Sequence, residues 1–179
     1  MSNTLKAQIA SGYQARRNGR LDDAKQLFAG AVTAARDLPD QAILARALAG
    51  AGQIERDLQN NAAALRAYQD AAEIYRSLAD PLRLAHTVRH VGDILLEQGS
   101  IEQARSFFEE ALSIYRQHAE TSLLDLANAI RGFALLREQA GEREQAKSLW
   151  QEARSLYGSV NIQPGVDESD RRIARLSGQ

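Results

Sequence analysis

Apolar residues recur along this chain at steps of three and four, as in Ile43, Ala47, Gly50, Ile54 and again in Val88, Val91, Leu95. That period belongs to a helix with one buried face. No stretch alternates apolar and polar residues with β-branched and aromatic enrichment, so the pattern predicts essentially no strand. Pro39, Pro81 and Pro164 fall between periodic segments, where helices start or stop. Short turn signals cut the segments into pairs: Asn18-Gly19, Gln59-Asn60-Asn61, Gly99-Ser100 and Ala140-Gly141. Glycine or asparagine there accepts the left-handed conformation that ends a helix. The second turn departs, with Gln59 in the glycine position and Asn61 where Leu21 and Ile101 stand elsewhere, and is expected to be looser. Asp80-Pro81 reads as an N-cap and first helical turn, and Thr121 or Ser122 as a second cap.

The paired segments spell one unit four times. A small residue occupies Gly12, Gly52, Gly92 and Ala134, and alanine opens each second half at Ala24, Ala64, Ala104 and Ala146. Four residues on stands a large aromatic, Phe28, Tyr68, Phe108 or Trp150, and three further another alanine, Ala31, Ala71, Ala111 or Ala153. A fixed period of this size marks stacked supersecondary units that bury their faces against one another. The expected fold class is therefore all-α, a superhelical solenoid of four helix-turn-helix hairpins in a single domain, 1–179. The repeats fall at about 5–38, 41–78, 81–118 and 122–158. A connector (158–164) and a capping helix (about 165–177) should follow, with Val166, Ile173 and Leu176 on one side and charges elsewhere. The aromatic row is core and no cofactor box, since burial alone accounts for aromatics at this spacing.

Composition narrows the function classes. The chain has 179 residues, a formal net charge of −1 and no cysteine. There is thus no global electrostatic case for nucleic acid or an anionic membrane, and no disulfide scaffold, thiolate metal site or cysteine nucleophile. No stretch approaches a membrane span, and the first twenty residues lack the apolar block of a secretory signal. A cytoplasmic location is the expectation. The catalytic motifs HExxH, GxSxG, GxxxxGK[ST] and GxGxxG after a strand are missing. Ala49-Gly50-Ala51-Gly52 is helix packing, and Glu109-Glu110 a solvated helix face. Neither enzyme activity nor a cofactor is expected.

The recurring glycine, alanine and aromatic slots resemble the tetratricopeptide repeat. The glycine slot holds in three copies, and both alanine slots and the aromatic hold in all four. The first tryptophan slot is filled instead by Gln8, Leu48, Val88 and Ile130, and the closing proline is absent. The repeat spacing of 40 to 42 resembles the longer-helix variety of kinesin light chain and LGN/Pins-type scaffolds. The resemblance implies a right-handed superhelix and a concave groove, lined by the first helices, that holds a peptide or helix of another protein. Carried over slot by slot, it implies Ile9 and Tyr13 from repeat one, with Lys6 and Arg17. Repeat two supplies Arg46 and Gln53, with Ala49, Gly50 and Arg56. Repeat three supplies His86, Arg89, His90 and Asp93, with Glu97. Repeat four supplies Asn128, Arg131 and Leu135, with Gly132 and Glu138. The chaperone-binding members carry a lysine, asparagine, asparagine, lysine, arginine clamp. Those slots here hold Ile9, Tyr13, Gly50, His86 and His90, so a chaperone tail is not the expected guest.

Two constellations stand out on that face. Arg46, Arg89 and Arg131 are expected to line up from repeat to repeat, and arginine forks grip carboxylates, so an acidic segment or a free carboxylate is the natural guest. The alternative is that they pair with acids of the same face, such as Asp93 and Glu97. His86, His90 and Asp93 have possible metal spacing. Three ligands on one straight helix seldom complete a tetrahedron, and Arg89 beside them repels a cation, so no metal is expected. Histidines there would let binding strengthen in mild acid. The reading is a protein-interaction module whose basic groove takes an acidic peptide or helix, with Tyr13, Ile9 and Leu135 giving apolar contact. The alternative is a homo-oligomeric scaffold with another copy in the groove or at an end.

Overall fold

In the computed structural model, which describes residues 2–178, all regular structure is helical. The helices are α1 (Ser2–Arg17), α2 (Leu21–Ala35), α3 (Gln41–Asp57), α4 (Asn61–Ser77), α5 (Pro81–Glu97), α6 (Ile101–Gln117), α7 (Leu123–Gln139), α8 (Arg143–Ser159) and α9 (Gln163–Ser177). The turns inside the hairpins close alike. Gly19, Gly99 and Gly141 take φ of 73°, 76° and 76°, and Gln59 takes 62° at the same place. The next amide then reaches back to the carbonyl five residues earlier: Arg20 to Ala15 at 2.9 Å, Ser100 to Leu95 at 2.9 Å and Asn60 to Glu55 at 2.7 Å. The Gln59 turn is therefore not looser than the others. Its hydrogen bonds hold a glutamine in the left-handed region, helped by the Asn60 side chain, which accepts from the Ala63 amide.

Both caps form. Asp80 Oδ1 accepts from the Arg83 amide at 3.2 Å, and of the two candidates before α7 it is Ser122 that accepts from the Asp125 amide. Thr121 instead donates to the Tyr115 carbonyl at 2.9 Å. The connector after α8 is shorter than expected, because α8 runs to Ser159 and α9 begins at Gln163, with Pro164 in its first turn where no amide is needed.

The chain packs as two compact units, Met1–Thr87 and Val88–Gln179. In the first, Leu5, Ile9, Ala15, Phe28, Ala31, Ala35, Ile43, Ala47 and Ile54 form the core. Phe28 lies where a side chain on either flanking helix would intrude. A methyl placed on Gly12 would lie 2.9 Å from its ring, and one on Gly50 would collide with it. In the second unit, Phe108 sits in the same way between Gly92 and Gly132, at 3.2 Å and 2.5 Å from the corresponding methyl positions. The expectation that the aromatic row is core holds: Phe28, Tyr68, Phe108 and Trp150 are all buried.

One groove assignment fails here. Ile9 is fully buried in the first core, because its face of α1 turns toward α2 and α3. It offers no contact to a guest.

Candidate functional site

The aromatic contacts fix which positions of the first helices correspond. Phe28 of α2 meets Gly50 of α3, and Phe108 of α6 meets Gly132 of α7, so Gly50 and Gly132 share a slot. Arg131 precedes that slot by one residue and Arg46 precedes it by four. Arg46 therefore stands in the slot of His86 and Asn128, one helical turn from the slot of Ala49, Arg89 and Arg131. The three arginines do not form one row.

In the first unit the candidate face gathers Tyr13, Arg46 and Gln53, all partly buried. The Tyr13 ring is fixed edge-on to Phe28, centroids 5.0 Å apart at 74°. Burial raises the pKa of its hydroxyl, and the Arg46, Arg16 and Arg83 guanidiniums pull against that. Arg16 is held by Asp57 through Nε at 2.6 Å, and Arg83 by Asp80. Arg46 makes no ion pair or hydrogen bond with any described residue. The Gln53 side-chain oxygen is buried without a partner.

The second unit differs. Arg89 is only 8% exposed, not on an open face; its Nη1 donates to Asp93 Oδ2 at 2.7 Å and its Nη2 lies 2.8 Å from His90 Nε2. A guanidinium only donates, so this His90 nitrogen accepts. Arg131 is also engaged, donating through Nε and Nη2 to Glu168 on α9 at 2.7 Å and 3.0 Å. Glu138 accepts from Trp150 Nε1 and from Arg172 and Arg175 of α9. Gly132 is buried against Phe108, while Leu135 is partly buried. His86 is partly buried as well. Among the described residues no group of histidine and carboxylate side chains could hold a metal ion. No described helix is long and apolar enough to cross a membrane.

A row of residues escaped the sequence reading. Tyr75, Tyr115 and Tyr157 each stand seven residues after the core aromatic of their repeat, and all are buried. Their hydroxyls run toward the first helices. Tyr157 donates to Asn128 Oδ1 at 2.8 Å. Tyr115 lies beside the Arg89 guanidinium, the approach stopping short of a well-formed hydrogen bond. The seven-residue step after an aromatic was the available signal.

This geometry, with paired helices keyed by an aromatic into small residues at a period near 40, matches the model of one family. The tetratricopeptide repeat model fits residues 3–77 and 83–159, most of the chain. The chain belongs to the tetratricopeptide repeat family. No curated protein matches its sequence. Among solved structures, it is similar in fold to BtubC (BKLC) from P. vanneervenii, with a TM-score of 0.78 at 18% identity, covering 88% of this chain and 64% of that one. A variant of the nearly identical, kinesin-light-chain-like TPR repeats of Podosopora anserina gives 0.76 at 12% identity, covering 97% and 84%. The Rap conjugation gene regulator of the plasmid pLS20, solved in complex with the Phr* peptide, gives 0.74 at 17% identity, covering 97% and 47%. This tetratricopeptide repeat chain thus spans about two thirds of BtubC and about half of the Rap regulator. The resemblance to the kinesin light chain variety of the repeat is borne out at the level of fold.

Proposed function

We propose that this tetratricopeptide repeat chain is a non-catalytic interaction module that binds an acidic segment of another protein on the first-helix face of its first unit. The observation that carries this reading is the state of Arg46. It is partly buried yet unpaired, beside Tyr13, while two neighbouring cations, Arg16 and Arg83, are held by Asp57 and Asp80. A cation beside a ring fixed against the core lowers the ordering cost of binding a carboxylate. The similar Rap regulator, solved with a peptide, supports a peptide as the kind of guest. The earlier expectation that Arg89 and Arg131 share the work is set aside here, since both spend their donors on Asp93 and Glu168.

Selection of a displayed random-peptide library on the full chain tests the reading. Selected peptides should carry an excess of aspartate and glutamate, and Arg46→Glu should erase that excess. Peptides without acidic bias, or a bias unchanged by Arg46→Glu, would refute it.

A further inference from the structure

Repeats two and four put different chemistry into one slot. In repeat four the second-helix tyrosine, Tyr157, donates its hydroxyl proton to the Asn128 side-chain oxygen at 2.8 Å. Asn128 precedes Gly132 by four residues, as Arg46 precedes Gly50, and Tyr75 follows Tyr68 by seven residues, as Tyr157 follows Trp150. Tyr75 and Arg46 are therefore the repeat-two counterparts of Tyr157 and Asn128. The acceptor has been replaced by a fork of donors. Tyr75 has no hydrogen-bond acceptor among the described residues to take its proton, and Arg46 has none for its guanidinium. Asp80, whose charge reaches Tyr75, is occupied: it holds the Arg83 side chain and caps α5 through the Arg83 amide. Tyr13 of α1 brings a second hydroxyl near the same guanidinium.

We propose that Arg46, Tyr75 and Tyr13 form a seat for a single carboxylate, with the Arg46 fork on its two oxygens and the tyrosine hydroxyls completing the shell. The inference rests on the interaction-module reading above and gives it an atomic address. Two neighbouring donors with no protein acceptor stay open to a guest, and a planar anion meets both at once. Burial raises the pKa of Tyr75 well above the ordinary tyrosine value, so the hydroxyl keeps its proton, and its capacity to donate, at neutral pH. The corresponding slots downstream offer no such seat. In repeat four Asn128 already serves Tyr157, and in repeat three the slot holds His86, which has no guanidinium fork.

The test is a titration of the full chain with sodium acetate at constant ionic strength, following arginine Nε–H resonances by NMR. Inorganic phosphate is titrated in parallel. The Arg46 signal should shift saturably with acetate, and Tyr75→Phe, which keeps the ring, should weaken that binding about tenfold. Arg131→Gln should leave it unchanged. Arg46→Lys, which keeps the charge but loses the fork, should weaken it as well, and serves if Arg46→Ala does not fold. An Arg46 signal that never saturates, an acetate affinity indifferent to Tyr75→Phe, or a response to phosphate alone would each overturn the carboxylate seat. A silent acetate titration alongside acidic library peptides that still depend on Arg46 would sink the seat while leaving the broader reading intact.

Discussion

Glu168 of α9 grips Arg131 of α7 through two hydrogen bonds, Nε to Oε2 at 2.7 Å and Nη2 to Oε1 at 3.0 Å. The terminal helix thus does more than shield apolar surface. Its carboxylate satisfies a cation that the repeat pattern alone would leave facing outward, while Arg172 and Arg175 return the favour to Glu138. Arg131 is 39% and Glu168 21% exposed, so the pair is partly screened. Glu168→Gln should cost about 1 kcal/mol in urea unfolding and speed amide exchange in α9. Exchange in α9 that does not change would show that the helix is held by its apolar side alone.

Two turns carry strain that glycine would relieve. Ala79 after α4 has φ of 50° and Gln59 after α3 has 62°, both in the left-handed region. The turns are held there by the amides of Asp80 and Asn60, which reach Tyr75 and Glu55 carbonyls at 3.0 Å and 2.7 Å. Ala79→Gly and Gln59→Gly should each stabilise by about 0.5–1 kcal/mol, the relief of the side-chain clash less the added freedom of the unfolded chain. Thermal melts check this, and a lowered Tm in both would count against it.

The aromatic keys are the main packing joints. Phe108→Ala empties a fully buried site between Gly92 and Gly132 and should cost about 3–5 kcal/mol. Gly132→Ala pushes a methyl to 2.5 Å from the same ring. It should cost about 1–3 kcal/mol through overpacking. Because both act on one contact, combining Gly132→Ala with Phe108→Leu should cost less than the sum of the two single changes. Strict additivity in denaturant unfolding would mean that the ring and the glycine are not in contact.

Alkali should unfold the chain through its buried tyrosines. Burial pushes Tyr157 up to about 12, against the pull of Arg131, and it raises Tyr75 and Tyr115 as well. In the unfolded chain these groups titrate near the ordinary 10.0. Each therefore stabilises fully below pH 10, and that stability drains away as the pH climbs from 10 through the raised value. Tyrosinate absorbance should rise together with the loss of helical circular dichroism. Tyr157→Phe should flatten the alkaline decline, and tyrosinate formation completed near pH 10 in a still folded chain would contradict the burial.

Helix placement, repeat period and the buried aromatic row were legible in the sequence because each repeats four times, and repetition averages out local exceptions. Ala79 gave no turn signal, since its left-handed conformation is imposed by amides that bind back onto α4. The face was harder to read. Ile9 and Arg89 sit at groove slots by count, yet one is drawn into the core and the other is folded onto Asp93 and His90. A slot fixes where a Cα lies; the partner within reach decides where a long side chain goes. Glu168 shows this most directly: nothing in a one-dimensional reading of a capping helix announces that its carboxylate will meet Arg131. The tyrosines at 75, 115 and 157 were equally available to the eye but sat in the shadow of the larger aromatic row.

With Arg46 as the reader of negative charge, recognition belongs to the first unit and not to the second. Mapping backbone amide shifts while a selected acidic peptide is added tests it most directly. Perturbations should cluster on α1, α3 and α4 around Tyr13, Arg46 and Tyr75, and vanish in Arg46→Glu. Perturbations centred on Arg131 and Glu168, with release of α9 from α7, would contradict it.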